Sequence, residues 1–189
     1  TNAGGNSWCV PDGYEDAVNY YKGTGTQMNL AVQMTDQAAA NAILPDAAQR
    51  TRAIEQLVQA ADDLGVDGVT VDFEGLKGDG LKNGLTAFVQ ELKAALGGSR
   101  PVYVCVHPVL KNGGAYYDAY DYRALGEAVD KVILMAHDYA ASSMDQATAD
   151  SGFTTTPVSP FEEVYYALHM ATDDQTGVRD TSKLVLGLS

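Results

Sequence analysis

Positive charge is scarce in this sequence: 12 Lys and Arg stand against 25 Asp and Glu, a formal net charge of −13. Such a surface repels phosphate backbones and anionic lipid headgroups, so neither nucleic acid nor a membrane surface is an expected partner. Long apolar runs are missing as well. Nothing reaches the roughly 18 consecutive apolar residues of a membrane-spanning helix, so no membrane insertion is expected. No basic segment followed by an apolar one opens the chain, which leaves the compartment undecided at this stage.

Cysteine is almost absent. Cys9 and Cys105 have neither the CxxC spacing of a redox motif nor the four-ligand grouping of a structural zinc site. Cys105 lies in an apolar run and reads as a core residue, whereas Cys9 is either free or paired. Histidine is also rare, with three in the chain, and neither HxH nor HExxH spacing occurs. Internal repeats and low-complexity tracts are lacking too.

What is present is an ordinary globular composition, 46% hydrophobic and 20% charged over 189 residues, enough for one domain with a hydrophobic core. Residues 1–13 are rich in turn formers without apolar periodicity and read as a loose lead-in. Residues 14–189 form the expected domain. Within it, β-like runs alternate with helical periods. The runs are Met28–Met34, Gly68–Phe73, Pro101–Val106, Lys131–Met135 and Lys183–Leu188, each β-branched or nearly continuously apolar, as buried parallel strands are. Ile54, Leu57, Val58, Ala61 and Leu64 repeat at helical spacing, with Asp46 as N-cap and Gly65 as C-terminal stop. Leu85, Phe88, Val89, Leu92 and Leu96 form a second such helix. Weaker patterns cover Tyr122–Val129 and Phe161–Met170. Parallel neighbours need long crossovers, so the class is α/β, either a doubly wound sheet or part of a barrel.

The chemistry concentrates in Asp67-Gly68-Val69-Thr70-Val71-Asp72-Phe73-Glu74. An apolar strand ends there in two carboxylates at i and i+2, which point the same way with Cα atoms roughly 6.6 Å apart. Two acids where a strand enters its loop are often merely solvated. Catalytic groups of parallel α/β folds, however, gather at the carboxyl ends of strands, and residues 75–84 read as an open glycine-rich loop. That loop is not a phosphate loop, since Leu81-Lys82 stands where Lys and Ser/Thr are required.

This segment resembles the DGxDxDxE signature of glycoside hydrolase family 18, the chitinase-like hydrolases, with Asp67, Gly68, Asp72 and Glu74 matching and Thr70 in place of the first Asp of the DxD pair. Met135-Ala136-His137-Asp138-Tyr139 is similar to the family's MxYD motif, with His137 at the Tyr position. Asp72–Leu76, Tyr120–Gly126 leading to Val129-Asp130, Pro157–Pro160 and Lys183–Gly187 look like the branch of spore-cortex-lytic N-acetylglucosaminidases. The resemblance covers about residues 28–188.

It implies a (β/α)8 TIM-type barrel. A complete one takes roughly 250 residues, so an incomplete barrel is expected, the five runs matching the family's third to seventh strands. The eighth strand, which in the family supplies a Trp floor, has no counterpart: the single Trp is Trp8. The implied activity is retaining, substrate-assisted hydrolysis of β-1,4-linked N-acetylglucosamine in peptidoglycan or chitin. Glu74 would be the general acid, favoured in its protonated form by anionic Asp72 and partial burial. Asp72 would orient the substrate's acetamido group, and Asp67, Met135, His137 and Asp138 would contact substrate. His107 is a candidate cleft residue. Tyr116, Tyr117 and Tyr120 are either a sugar-stacking surface or a solvated loop. No cofactor is expected, and a metal at Asp72, Glu74, His137 and Asp138 is the lesser reading because the signature accounts for the carboxylates without an ion. The expected partner is an N-acetylglucosamine polysaccharide, met outside the cell or in its wall. A noncatalytic sugar-binding relative is the alternative, given Thr70, His137 and the absent Trp floor.

Overall fold

The computed structural model of the chain describes residues 13–111, 118–137, 139, 146–152 and 158–188. Its centre is a five-stranded sheet of β1 (Asn29–Met34), β2 (Gly68–Phe73), β3 (Val102–Val106), β4 (Lys131–Met135) and β5 (Leu184–Gly187), all parallel and adjacent in chain order. A doubly wound fold would reverse its strand order partway. The consecutive order removes that reading and leaves the arc of a β/α barrel.

Alternation along the strands separates two faces. Val69, Val71, Val102, Val104, Val106, Val132 and Leu134 are fully buried and form one core with helices α3 (Ala47–Asp63), α4 (Asp79–Ala95) and α5 (Tyr122–Ala128) through Ile54, Leu57, Leu85, Phe88, Val89, Leu92 and Leu125. The alternate residues, Thr70, Asp72, Tyr103, Cys105, Ile133 and Met135, are only half-buried. They line the inner, concave side. The other helices are α1 (Tyr14–Gly23), α2 (Gln37–Ile43), α6 (Gln146–Asp150) and α7 (Phe161–Ala171).

The local signals act as expected at α3. The Asp46 carboxylate accepts from the Ala48 and Gln49 amides, satisfying donors that the first turn leaves open. At the other end Gly65, at φ 61°, donates to Asp62 O while Val66 donates to Ala61 O, the paired bonds of a Schellman stop. Cys105 departs from expectation, because it lies on the inner face of β3 rather than among the helix-facing core residues. Cys9 and Trp8 lie outside the described residues.

The segment 75–84 is also different: α4 starts at Asp79, so only residues 75–78 are loop. Gly80, Asn83 and Gly84 look like loop formers by propensity, yet Gly84 is a packing residue. A Cβ there would come within 2.6 Å of Leu44 O, where the end of α2 crosses α4. Gly84→Ala should therefore destabilise the fold by about 1–3 kcal/mol through overpacking. Gly80→Ala, with nothing within 4 Å of its added methyl, should be neutral or stabilising by up to about 1 kcal/mol. Urea unfolding of the two variants against the parent chain checks the contrast.

Candidate active site

The carboxyl ends of β2, β3 and β4 meet at a cleft of about 300 Å³ lined by Glu74, His107, Pro108, Leu110, Met135, His137 and Tyr139. Glu74 follows the last residue of β2, His107 the last of β3, and His137 lies two residues past Met135, the last of β4. Strand alternation points each of them to the inner side. Asp72 sits one strand step below Glu74 on the same face.

The β1–β2 register sets Gln33 opposite Asp72. From there the Gln33 amide reaches both carboxylates, with Nε2 donating to Glu74 Oε1 at 2.9 Å and more weakly to Asp72 Oδ2 at 3.4 Å. One neutral donor thus bridges two acids. Asp72 Oδ1 is covered and has no nitrogen or oxygen donor; the Cys105 thiol, a weak donor, lies beside it. Burial raises the Asp72 carboxyl above the usual carboxylate range, and the nearby Glu74 charge adds to this, against smaller opposing effects of Cys105, Gln33 and His137. Desolvation likewise pushes the Cys105 thiol up to about 12, with Asp72 adding to the effect. At neutral pH it is a protonated donor and a poor nucleophile.

The backbone around Glu74 is held on both sides. The Glu74 amide donates to Met34 O at 2.9 Å, and the Tyr120 hydroxyl donates to Phe73 O at 2.6 Å. The Gly75 amide donates to His107 Nε2 at 3.2 Å. Tyr120 is 7% exposed, which corrects its reading as a sugar-stacking or solvated residue. His107 lines the cleft, with its imidazole pKa lowered chiefly by burial.

Asp67 is a second correction. It precedes β2 at the amino end, the opposite end from Glu74, and there its Oδ2 accepts from the Met28 amide at 2.7 Å. Its position joins the entries of β1 and β2 and keeps it from a substrate in the cleft. Thr70 Oγ1 accepts from Asn29 Nδ2 at 3.3 Å, so it is engaged with β1. Met135 and His137 stand with Glu74 at the cleft. Asp138, Tyr116 and Tyr117 lie outside the described residues. Among the described residues no group of three His, Cys, Asp or Glu side chains is arranged to hold a metal ion.

Gln33 was not identified as a site residue from sequence, and Tyr120 was singled out for a different role. Gln33 is a polar residue inside an apolar strand, a visible signal whose meaning depends on the register. Asp72 also carries a stability prediction. Because its folded pKa is raised, the carboxyl favours folding below its unfolded pKa, and that contribution is lost as pH rises through the folded value. Asp72→Asn should accordingly raise the urea midpoint at about pH 8 by more than at about pH 4. An equal or larger gain at the lower pH would contradict the burial account.

The model of Glycosyl hydrolases family 18 matches residues 19–189. No curated protein sequence matches the chain. Among solved structures, the C-terminal domain of a provisionally assigned chitinase from Desulfitobacterium hafniense DCB-2 is similar at 25% identity and a TM-score of 0.78, covering 95% of this chain and 51% of that one. The spore cortex-lytic enzyme SleL of Bacillus cereus is similar at 20% identity and a TM-score of 0.73, with 93% of this chain and 39% of that one covered. A Chromobacterium violaceum ATCC 12472 chitinase gives 23% and 0.70, with 98% and 55% covered. The chain thus spans about half the length, or less, of these structures. With the family model covering all of the described sheet and the five strands in consecutive parallel order, the chain belongs to glycoside hydrolase family 18 and forms an arc of its (β/α)8 barrel.

Proposed function

We propose that this chain carries the acid–base half of a retaining glycoside hydrolase acting on β-1,4-linked N-acetylglucosamine glycans, peptidoglycan or chitin, outside the cell or in its wall. The observation that supports it is the pair Asp72 and Glu74, on one strand face and bridged by Gln33, with Glu74 opening on the cleft. Family membership and the resemblance to chitinases and a cortex-lytic enzyme agree with this reading.

In the reaction Glu74 gives its proton to the glycosidic oxygen as the C1–O bond breaks. The substrate's 2-acetamido oxygen closes on C1, and the positive charge moves onto the resulting oxazolinium. This family is an exception to the scheme with an enzyme nucleophile. Asp72 accepts the amide N–H and balances that charge. Its present surroundings suit the role, since a half-buried carboxyl whose Oδ1 has no nitrogen or oxygen donor gains hydrogen bonds by turning towards the cleft. Water, deprotonated by the Glu74 carboxylate, then opens the oxazolinium with retention at C1. The imidazole of His137 supplies the donor to the acetamido oxygen that the family's Tyr provides by resemblance.

Glu74→Gln in the natural protein should lower kcat on an N-acetylglucosamine oligosaccharide by roughly 10²–10⁴-fold, the size of general acid catalysis, while binding persists. Asp72→Asn should lose rate only on substrates bearing a 2-acetamido group. His137→Tyr should retain or raise kcat, as both side chains donate. One observation favours a second reading as a noncatalytic sugar-binding domain: Thr70 stands at the position of a family Asp and is bonded away from Asp72. Binding of the oligosaccharide without hydrolysis, unchanged in Glu74→Gln, would select that reading.

A further inference from the structure

We propose that His107 and Tyr120 form a clamp on the two peptide groups flanking Glu74, and that His107 performs this task as a neutral hydrogen-bond acceptor. Within the hydrolase reading above, both are positioning residues for the general acid. Three bonds define the clamp. Tyr120 holds the Phe73 carbonyl at 2.6 Å, His107 Nε2 holds the Gly75 amide at 3.2 Å, and Met34 O holds the Glu74 amide at 2.9 Å between them. The Glu74 backbone is thereby fixed from β1 on one side and from β3 and the start of α5 on the other. The two clamp rings also touch edge to face, with centroids 5.6 Å apart. The His107 carbonyl accepts from the Tyr122 hydroxyl, so the histidine is itself anchored.

The consequence lies in proton bookkeeping on one ring. An Nε2 that accepts from a backbone amide carries no proton, so neutral His107 is the Nδ1–H tautomer. Protonation turns that acceptor into a donor facing another donor, the Gly75 amide, and the bond is lost. The titratable groups acting on the imidazole are Glu74 at the end of β2, whose charge favours protonation, and His137 beyond β4, which opposes it. Tyr120 and Tyr122 face it from the α5 side. Burial outweighs the Glu74 charge and keeps the ring neutral through the neutral range. A clamp holding at neutral pH therefore releases Glu74 in acid.

The test uses the natural protein, with kinetics on an N-acetylglucosamine oligosaccharide and NMR without substrate. His107→Leu and Tyr120→Phe should each lower kcat by roughly 10- to 100-fold, as expected for a displaced catalytic group, with KM little changed. His107→Gln, whose amide oxygen can accept at the reach of Nε2 and does not titrate, should restore most of kcat. The acid limb of kcat should approach a slope of about two in the parent, since ionised Asp72 and neutral His107 are both required, and about one in His107→Gln. A purely structural histidine would not change that slope. By NMR, His107 should be the Nδ1–H tautomer at neutral pH, and the Gly75 amide shift should follow its titration. If the parent hydrolyses the oligosaccharide while His107→Leu and Tyr120→Phe keep its kcat, the clamp is overturned and the hydrolase reading stands. If the Gly75 amide tracks His107 but no hydrolysis occurs, the clamp is supported and the hydrolase reading fails. A Gly75 amide indifferent to His107 protonation also overturns the clamp.

Discussion

The parallel ladder between β1 and β2 is the contact on which the rest of the site depends. Its register pairs Gln33 with Asp72 and Met34 with Phe73. The same alignment lets Met34 O receive the Glu74 amide just beyond the strand. A slip of one residue would turn every β1 side chain to the opposite face, removing Gln33 from the carboxylates. Leu30, Val32 and Met34, packed against the core from the opposite face, oppose such a slip because they would have to turn to the half-exposed inner side. Apolar packing against α3 and α4 therefore sets the alignment of polar groups that it never touches.

Much of the strand architecture was legible because buried parallel strands leave near-continuous β-branched runs, as in Gly68–Phe73 and Lys131–Met135. Asp46 and Gly65 marked the ends of α3 for equally local reasons. The first turns of α4 were not legible, since Gly80 and Gly84 carry loop propensity and only contact with Leu44 explains Gly84. The carboxylate pair was readable from its i, i+2 spacing. Gln33, Tyr120 and Cys105 were not, because their importance comes from neighbours 39, 47 and 33 residues away in sequence. Asp67 was misplaced by the resemblance for the converse reason. A motif shared in sequence runs the whole length of a strand, and a strand's two ends face different surroundings.

Gly75 connects strand geometry to the cleft. Its φ of 68° lies in the left-handed region that glycine enters without a Cβ penalty. Nothing stands within 4 Å of where a Cβ would be, so the requirement is for backbone conformation and not for space. Directly after Glu74 the chain leaves the extended path of β2, and its next amide turns to His107, just past β3, instead of continuing the ladder. The acid is consequently the last side chain under strand control, and the two rings take over where the ladder stops.

The two ends of the sheet divide stability from chemistry, as in other barrels of this type. At the amino ends the scarce cations meet carboxylates and orphan carbonyls. Arg100 binds Asp62 together with Val66 O and Asp67 O, Lys93 joins Asp130 to Arg100 O, and Lys183 reaches Gly126 O and Val129 O. Burial alone would raise the Asp130 carboxyl, but the Lys93 contact, the Val102 amide and the Lys183 charge together hold it below the usual range. At the carboxyl ends no Lys or Arg among the described residues lines the cleft, and Asp72 shifts the other way. A cation beside Asp72 would stabilise it as a carboxylate, against the direction that burial imposes. Carboxylates at the amino ends thus meet cations, whereas Asp72 and Glu74 share a neutral amide.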